Sequence, residues 1–120
     1  MSQKKDIGNK GEQIAKEYLE KKGYRILDTN WYHHHRELDI IAKDDKELVI
    51  VEVKARSTSA YGEPSDAVNA LKKKRMIRAA EGYIRRFNFE GETRFDIISI
   101  IFEKEKYKLE HLKDAFYPTL

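Results

Sequence analysis

Charged side chains at two places interrupt runs of residues that are otherwise apolar. Glu37 and Asp39 fall in the first run, and Glu52 and Lys54 fall in the second. Burying such groups without partners costs several kcal/mol each, so we expect them to serve a purpose. Two ionised carboxylates about 5 Å apart repel each other by several kcal/mol at an effective dielectric constant near 20. Such a pair would either hold a proton or bind a cation.

Carboxylate ligands of this kind suit Mg2+ or Mn2+. If Glu12 also reaches them, three carboxylates meet the single ammonium group of Lys54, and a divalent ion would settle the imbalance. An ion beside a lysine would polarise a phosphoryl oxygen and lower the pKa of an attacking water, as phosphodiester hydrolysis requires. The alternative is a set of ion pairs at a sheet edge, with Glu52 bound to Arg36 and Lys54 exposed at the strand end.

A helix must carry Glu12. Its apolar residues recur at the spacing of one helical face, and Gly23 is positioned to end it as a C-cap. Glu12 lies within about 20° of Leu19 at the edge of this face, whereas the other acids point away. We therefore expect Glu12 to be the carboxylate of this helix that reaches over the domain. The apolar face consists of Ile7, Ile14, Ala15, Tyr18 and Leu19.

Strands must carry the other charged groups. Short β-branched or aromatic runs predict strands at residues 24–27, 37–42, 48–54 and 94–102, with a shorter one at 107–112. The run at 48–54 is apolar on both faces, which is typical of a central strand. Its two faces carry Val49, Val51 and Val53, and Leu48, Ile50, Glu52 and Lys54.

The tetrapeptide Lys43-Asp44-Asp45-Lys46 predicts a tight hairpin turn. If this hairpin pairs Ala42 with Glu47, Ile50 faces Asp39 and Glu52 becomes a diagonal neighbour of Asp39. Asp39, Glu52 and Lys54 then share one face of the sheet. A bulge of one residue would overturn this inference, because it reverses the alternation of one strand.

A second helix follows a loop, with Ser65 or Asp66 as its expected N-cap. Lys72 continues the apolar stripe of this helix by one turn, so we expect it to point inward or toward a site. Lys74, Arg78 and Arg85 share the opposite, solvent-facing side. The stripe consists of Met76, Ala80, Tyr83, Ile84 and Phe87.

Positive charge is concentrated on this second helix. Residues 65–86 carry seven basic and two acidic side chains, a balance of +5, although the chain of 120 residues has a net charge of only +3. Such a segment predicts either a docking surface for a polyanion or simply a solvated helix face.

Length and composition limit the other classes of function. The 120 residues fit a single domain, and the absence of cysteine excludes thiol catalysis and zinc-thiolate sites. There is no secretory h-region behind the N-terminal lysines and no apolar run of about 18 residues that would cross a membrane. We therefore expect a soluble cytoplasmic protein that does not associate with a membrane.

An aspartate followed in the next strand by Glu-Val-Lys resembles the PD-(D/E)XK signature of the restriction-endonuclease-like nucleases. Asp39 and Glu52-Val53-Lys54 provide this match, with Leu38 in place of the proline. The resemblance extends along nearly the whole chain to the small bacterial YraN-like family. It is carried by Gly11-Glu12-x-x-Ala15, Gly23-Tyr24, Glu37-Leu38-Asp39-Ile40-Ile41-Ala42, Val51-Glu52-Val53-Lys54-x-Arg56, Ala67-Val68 to Lys72, Arg94-Phe95-Asp96 and His111-x-x-x-Ala115-Phe116.

This resemblance implies an α/β fold of the restriction-endonuclease-like class over residues 1–120, with a central mixed sheet of four to five strands flanked by helices in the order α-β-β-β-α-β. The family is similar in size and layout to archaeal Holliday junction resolvases. The implied activity is a metal-dependent DNA endonuclease that uses Mg2+ or Mn2+. The resemblance gives this reaction class without a target, and branched DNA is one candidate substrate. Because resolvases pair up and cutting two strands needs two sites, the resemblance is compatible with a homodimer.

The resemblance also implies roles for individual residues. Glu12, Asp39 and Glu52 would be metal ligands, together with the carbonyl of Val53, and Lys54 would position the water and offset charge in the transition state. Asp39, Glu52 and Lys54 would thus be the catalytic residues. The residues expected to hold the DNA backbone are Lys72, Lys74, Arg78, Arg85 and Arg56.

Two residues near the site depart from the family pattern. Arg36 stands where glycine is usual and Tyr32 where arginine is common, and both flank the loop through His33-His34-His35. This triplet would bind a transition metal only if its side chains converged, whereas neighbouring residues of an extended chain alternate in direction. A loop that lies near phosphates is the alternative.

Two further functions compete with the nuclease. One is a nucleic-acid-binding module of the same fold whose chemistry is weak or lost, and the other is a phosphohydrolase for a small metabolite. Three carboxylates favour the nuclease over the binding module, because acids repel phosphate. A small substrate would leave the basic helix unused.

Overall fold

A computed structural model describes residues 3–34, 36–57 and 69–117 of the chain, and it contains two helices and five strands within those ranges. The α/β class and the element order are as predicted, with a fifth strand at the end. The elements are α1 (Gln3–Lys21), β1 (Arg25–His33), β2 (Arg36–Asp44), β3 (Glu47–Arg56), α2 (Ala70–Phe87), β4 (Thr93–Glu103) and β5 (Lys106–Phe116).

The five strands form one mixed sheet in the order β1-β2-β3-β4-β5. All neighbours are antiparallel except β3 and β4, which are parallel and are joined through α2. The predicted central position of β3 is confirmed. A parallel pair needs a long crossover connection, and here the crossover places α2 over one face of the sheet.

The two helices cover opposite faces of the sheet, so β3 is buried on both sides. Ala15 and Leu19 of α1 pack with Val49 and Val51, whereas Met76 and other residues of α2 pack on the face that contains Leu48 and Ile50. The predicted division of β3 into two apolar faces is therefore confirmed. A strand that is covered on both faces is expected to be hydrophobic along its whole length, so the charged residues at the end of β3 are unusual.

The predicted hairpin register between β2 and β3 is wrong by two residues. Ala42 pairs with Val49 rather than Glu47, and the strands run on to an Asp44–Glu47 pair. The turn is thus shorter than predicted, and Asp45 adopts a left-handed conformation within it with φ of 56°. Because the shift is an even number of residues, every side chain of the two strands stays on its predicted face of the sheet.

Two strands also extend well past their predicted ends. β1 was expected to end at Leu27 but continues to His33, through a bulge between Ile26 and Asp28 and a left-handed Asn30 with φ of 50°. β5 was expected to end at Leu112 but continues to Phe116, opposite a register shift in β4. Local irregularities of this kind interrupt the alternation that marks a strand in sequence.

The helix ends are determined by capping. Gly23 has φ of 95° and follows α1, as predicted for a C-cap. The expected N-caps of α2, Ser65 and Asp66, lie outside the described residues. The helix begins at Ala70, and the Asn69 side chain caps it by accepting a hydrogen bond from the backbone N–H of Lys72. Neither α1 nor α2, the helices of the described ranges, is long and apolar enough to cross a membrane.

Candidate active site

β2 and β3 separate where the charged residues begin. Their ladder ends at the Ile40–Val51 pair, and beyond it Asp39 Oδ2 accepts a hydrogen bond from the backbone N–H of Val53 at 2.8 Å. A carboxylate thus takes the place of a backbone carbonyl in the ladder. This substitution brings the Asp39 side chain between the strands, where it hydrogen-bonds the side chain of Glu52.

The Asp39–Glu52 pair is largely buried. Glu52 is only 3% exposed. Burial, followed by the charge and hydrogen bond of Glu52, raises the pKa of Asp39 to about 9, although the Val53 N–H acts in the opposite direction. At neutral pH the pair therefore holds a proton, which is one of the two arrangements expected for adjacent carboxylates.

Glu12 reaches this pair because α1 packs closely on the end of β3. Gly11 makes the close approach possible, since a Cβ there would lie 2.5 Å from Cβ of Ala55. One carboxylate oxygen each from Glu12, Glu37 and Asp39 lie within 4.8 Å of one another. The structure therefore gathers carboxylates from α1 and β2 beside Glu52 of β3.

The crowding of acids also affects Glu12. Burial raises its pKa, a hydrogen bond with the Asn30 side chain opposes that rise, and the charges of Glu37 and Glu52 add to it. Negatively charged groups thus lie close together in a partly buried site. A cation in their midst would relieve both the burial cost and the repulsion.

Glu37 is a member of this cluster that the sequence analysis did not assign as a ligand. Its position was noted only as a charge in an apolar run. The signal was nevertheless present, because residues two apart on a strand share a face and Glu37 precedes Asp39 by two.

Two lysines contact Glu52. Lys72 of α2 forms an ion pair with Glu52 Oε2, and Lys54 Nζ lies 3.8 Å from the same oxygen. The predicted inward direction of Lys72 is thus confirmed. Burial alone would lower the pKa of Lys72, but its hydrogen bond to Glu52 and the nearby carboxylate charges outweigh that effect and raise it.

The alternative of ion pairs at a sheet edge does not describe Glu52. Glu52 lies in the central strand, and within the described residues it forms ion pairs with Lys54 and Lys72 rather than with Arg36. The side chain of Lys54 is 28% exposed, so it lies at the rim of the site rather than fully in solvent.

The carboxylates fit a small divalent ion. Mg2+ binds oxygen at about 2.1 Å, so two oxygens on one ion are at most about 4.2 Å apart. The 4.8 Å limit for Glu12, Glu37 and Asp39 exceeds this value by an amount that rotation of a glutamate side chain covers. All of the donors are oxygens, which suits Mg2+ or Mn2+. The role of the Val53 carbonyl remains a prediction.

The basic residues predicted to hold DNA lie on two elements. Lys74, Arg78 and Arg85 are exposed on α2, as the helical spacing predicts, and Arg56 is half-buried at the end of β3. Their contacts with nucleic acid remain a prediction.

Of the histidine triplet, His33 ends β1 and His34 lies in the turn that follows it. The ring of His33 stacks parallel to Trp31, with centroids 5.5 Å apart and an interplanar angle of 6°. His33 and His34 make an edge contact at 4.2 Å, and His35 lies outside the described residues. His33 is therefore engaged in packing.

A second buried charge cluster lies nearer the β2–β3 hairpin. Asp96 is fully buried and accepts two hydrogen bonds from Arg94, each at 2.9 Å, and one from Nε2 of His111 at 2.7 Å. Arg94 also donates to the Tyr24 hydroxyl at 2.6 Å. Burial alone would raise the pKa of Asp96, but the hydrogen bonds of His111 and Arg94 outweigh it and lower that pKa.

This second cluster explains several motif residues for which sequence reasoning offered no role. Hydrogen bonds between its side chains connect β4 and β5 to Tyr24, which follows α1. Tyr18 of α1 extends it by a hydrogen bond to His111 at 3.1 Å. The cluster therefore stabilises the scaffold that carries the carboxylates.

Comparison with known proteins identifies relatives along the whole chain. A protein of Parabacteroides distasonis is 45% identical over 117 residues, which cover 98% of this chain and 97% of that protein. A protein of Bacteroides thetaiotaomicron is 45% identical over 120 residues, covering 100% and 99%. A protein of Flavobacterium johnsoniae is 42% identical and covers 98% of each. All three are described as UPF0102 proteins.

A family model matches residues 11–100, a range that contains α1 from Gly11 onward, β1 to β3, α2 and most of β4. Its description is "Uncharacterised protein family UPF0102", and this is the YraN family to which the sequence was compared. The match includes Glu12, Asp39, Glu52 and Lys54. The chain therefore belongs to the UPF0102 family.

Proposed function

We propose that this protein is a metal-dependent endonuclease that hydrolyses DNA phosphodiester bonds and acts on branched DNA. The observation that carries the proposal is the buried Asp39–Glu52 pair, which has two further carboxylates beside it and a lysine at its rim. Holding carboxylates that repel one another in a site shielded from water lowers the stability of a fold. Perturbed groups of this kind cluster at functional sites.

The residues of the chain divide the work of hydrolysis. Glu12, Asp39 and Glu52 would hold the divalent ion, with Glu37 as an additional oxygen donor. When bound, that ion supplies polarisation of a phosphoryl oxygen and a lower pKa for the attacking water. Lys54 Nζ is near Glu52 and partly exposed, so it is placed to orient the water and to offset negative charge on the phosphate.

The basic side of α2 suits the substrate. Lys72 touches the carboxylate site, and Lys74, Arg78 and Arg85 lie on the exposed side of the same helix. Lysine and arginine on such a surface neutralise phosphates and hold a DNA backbone without reading its sequence. This arrangement favours DNA over a small phosphorylated metabolite.

One contact favours the second candidate, a nucleic-acid-binding module with weak or lost chemistry. The ion pair between Lys72 and Glu52 neutralises part of the site without a metal ion. If that contact persists in the presence of metal, Glu52 is not free to act as a ligand. The two candidates therefore differ in whether Mn2+ binds and whether DNA is cut.

The test is incubation with linear, single-stranded, flap and four-way-junction DNA in the presence of Mn2+. We expect the wild-type protein to cut branched substrates, and Lys54→Ala and Asp39→Asn to cut at least about 100-fold more slowly. Lys108→Ala is the matched control, because Lys108 is exposed on β5 and should leave cleavage unchanged.

Two results would contradict the nuclease. Cleavage that survives both Lys54→Ala and Asp39→Asn would come from a contaminating enzyme. A wild-type protein that binds DNA but cuts none of the four substrates would support the binding module instead.

A further inference from the structure

A cleft of about 500 Å³ opens between the β1–β2 hairpin and the C-terminal half of α2. Its volume is in the range of pockets that hold small ligands. Apart from Arg85, none of its residues has a role in the proposed hydrolysis. The residues that line it are Trp31, Tyr32, His33, Gly82, Arg85 and Arg86.

One wall of the cleft is a fixed aromatic surface. His33 stacks on Trp31, and Trp31 in turn makes an edge contact with Tyr83 of α2 at 5.2 Å. Gly82 allows His33 to lie against the helix backbone, because a Cβ at this position would come within 2.6 Å of the imidazole ring. The hairpin is thus held against α2 by packing.

Tyr32 is the aromatic residue of the cleft that remains free to contact a ligand. It is 66% exposed, so a ligand can reach the face of its ring. It pairs in the β1–β2 ladder with Glu37, which is also a member of the carboxylate cluster. This strand pairing places the cleft next to the candidate active site.

The charge of the cleft is positive. Arg85 and Arg86 are exposed at the end of α2, and the six lining residues within the described part of the chain include no acid. A ligand that matches this surface combines a planar ring with a negative charge. A nucleotide has both, because its base stacks on an aromatic ring and its phosphate binds arginine.

We infer that this cleft binds an unpaired nucleotide of a nucleic-acid strand, with the base on the ring of Tyr32 and the phosphate at Arg85 and Arg86. A base inside a duplex is stacked between its neighbours and cannot reach Tyr32. The inference rests on the proposed function, since the strand would continue from the cleft to the carboxylates. It adds that the protein would recognise branched DNA through an unpaired segment of one DNA strand.

The test measures binding without metal, so that no strand is cut. Fluorescence anisotropy compares a single-stranded oligonucleotide with a blunt duplex of the same sequence. We expect Tyr32→Ala to weaken single-strand binding about tenfold and to leave duplex binding unchanged. Tyr32→Phe keeps the ring and should bind as the wild type does, and Tyr107→Ala, which removes another exposed tyrosine, should also have no effect.

A second variant tests the phosphate contact. Arg85→Ala combined with Arg86→Ala should weaken single-strand binding and reduce its salt dependence. Arg75→Ala combined with Lys108→Ala is the control, because it removes two exposed charges outside the cleft. A control that weakens single-strand binding as much as the cleft variant would overturn the assignment of the phosphate site.

The outcomes separate this inference from the proposed function. If Tyr32→Ala binds both DNAs as the wild type does, or weakens both equally, the cleft assignment is wrong even if Mn2+-dependent cleavage is observed. If single-strand binding depends on Tyr32 but the wild-type protein cuts nothing, the cleft stands and the nuclease fails. A protein that binds neither DNA contradicts both.

Discussion

Asp39 and Asp96 lie in the same sheet, and both are largely removed from water, but their pKa values shift in opposite directions. Burial and the nearby Glu52 raise the pKa of Asp39 to about 9. The hydrogen bonds that Asp96 accepts from His111 and Arg94 lower its pKa in spite of complete burial. Partners, rather than depth, therefore decide the charge of a buried carboxylate in this protein.

The contrast separates a structural cluster from a candidate functional one. Both oxygens of Asp96 accept hydrogen bonds from Arg94, and His111 and the backbone N–H of Asp114 add one each. Asp39 accepts one bond from Val53 and otherwise faces other acids. A cluster that already contains its cation stabilises the fold, whereas a cluster of acids gains most from a cation supplied from solution.

The largest effect that the comparison predicts is on stability. Asp96→Asn should lower the free energy of unfolding by about 3–5 kcal/mol, because the change leaves Arg94 buried without its main partner. Urea denaturation monitored by circular dichroism measures this loss. Asp39→Asn is the matched change in the other cluster and should cost far less, since it replaces a carboxyl group that is already neutral at neutral pH and leaves no buried charge without a partner.

If Asp96→Asn and Asp39→Asn destabilise the protein equally, the distinction between the two clusters is wrong. A further readout is metal binding. Where Asp96→Asn still folds, it should bind Mn2+ as the wild type does, because its contacts are with Arg94, His111 and Asp114 and not with the carboxylate cluster.

A smaller effect is expected where α1 meets β3. Gly11→Ala should destabilise the protein by about 1–3 kcal/mol, because the added methyl group would lie 2.5 Å from Cβ of Ala55 and force the helix outward. The shift would also move Glu12, so Mn2+ should bind more weakly. Thermal unfolding with and without Mn2+ measures both effects.

Gly8→Ala is the control for this change. It lies in the same helix with open space around a new Cβ, so it should stabilise the protein by about 0.5–1 kcal/mol and leave metal binding intact. A Gly11→Ala protein that is as stable as Gly8→Ala would mean that α1 does not need the close approach to β3.

The smallest effect is a pH dependence of stability in the metal-free protein. Asp39 has a raised pKa in the folded state, so the native protein holds a proton that the unfolded chain loses near pH 4. Stability from this group is therefore present at low pH and is lost as pH rises toward about 9. Asp96 acts in the opposite direction, because its stabilisation is lost as pH falls below the ordinary aspartate range.

Asp39→Asn should flatten the alkaline part of this profile. Between pH 6 and 7 the difference between the wild type and the variant in the free energy of unfolding should change by about 1.4 kcal/mol, the linkage slope for one proton. Urea titrations at several pH values provide the measurement. Profiles that remain parallel would show that Asp39 does not hold the proton.

Patterns within single elements could be interpreted from the sequence. The alternation of β3 placed Glu52 and Lys54 on the α2 side, and helical spacing directed Glu12 and Lys72 toward the site. These inferences depend only on the period of a helix or a strand, which backbone geometry determines. Asp39 lies on the predicted face of the sheet although the hairpin register was wrong, because the register differs from the prediction by an even number of residues.

Features that depend on partners distant in sequence could not be obtained in the same way. The extension of β5 past Leu112 involves an Asp114 N–H that bonds the Asp96 side chain, and that pairing leaves no local pattern. The continuation of β1 likewise depends on a left-handed Asn30. Sequence also could not distinguish the lysine that pairs with Glu52, since α2 reaches the site only after the chain folds.

The most direct measurement is calorimetric titration of the protein with Mn2+ near neutral pH, in two buffers of different ionisation enthalpy. Metal ligands must be deprotonated, so the wild type should bind Mn2+ and release about one proton from Asp39. Asp39→Asn should bind at least about tenfold more weakly and release none, whereas Gly8→Ala should match the wild type. A wild-type protein that binds no Mn2+, or whose binding survives Asp39→Asn with the same proton release, would show that these carboxylates do not form a metal site.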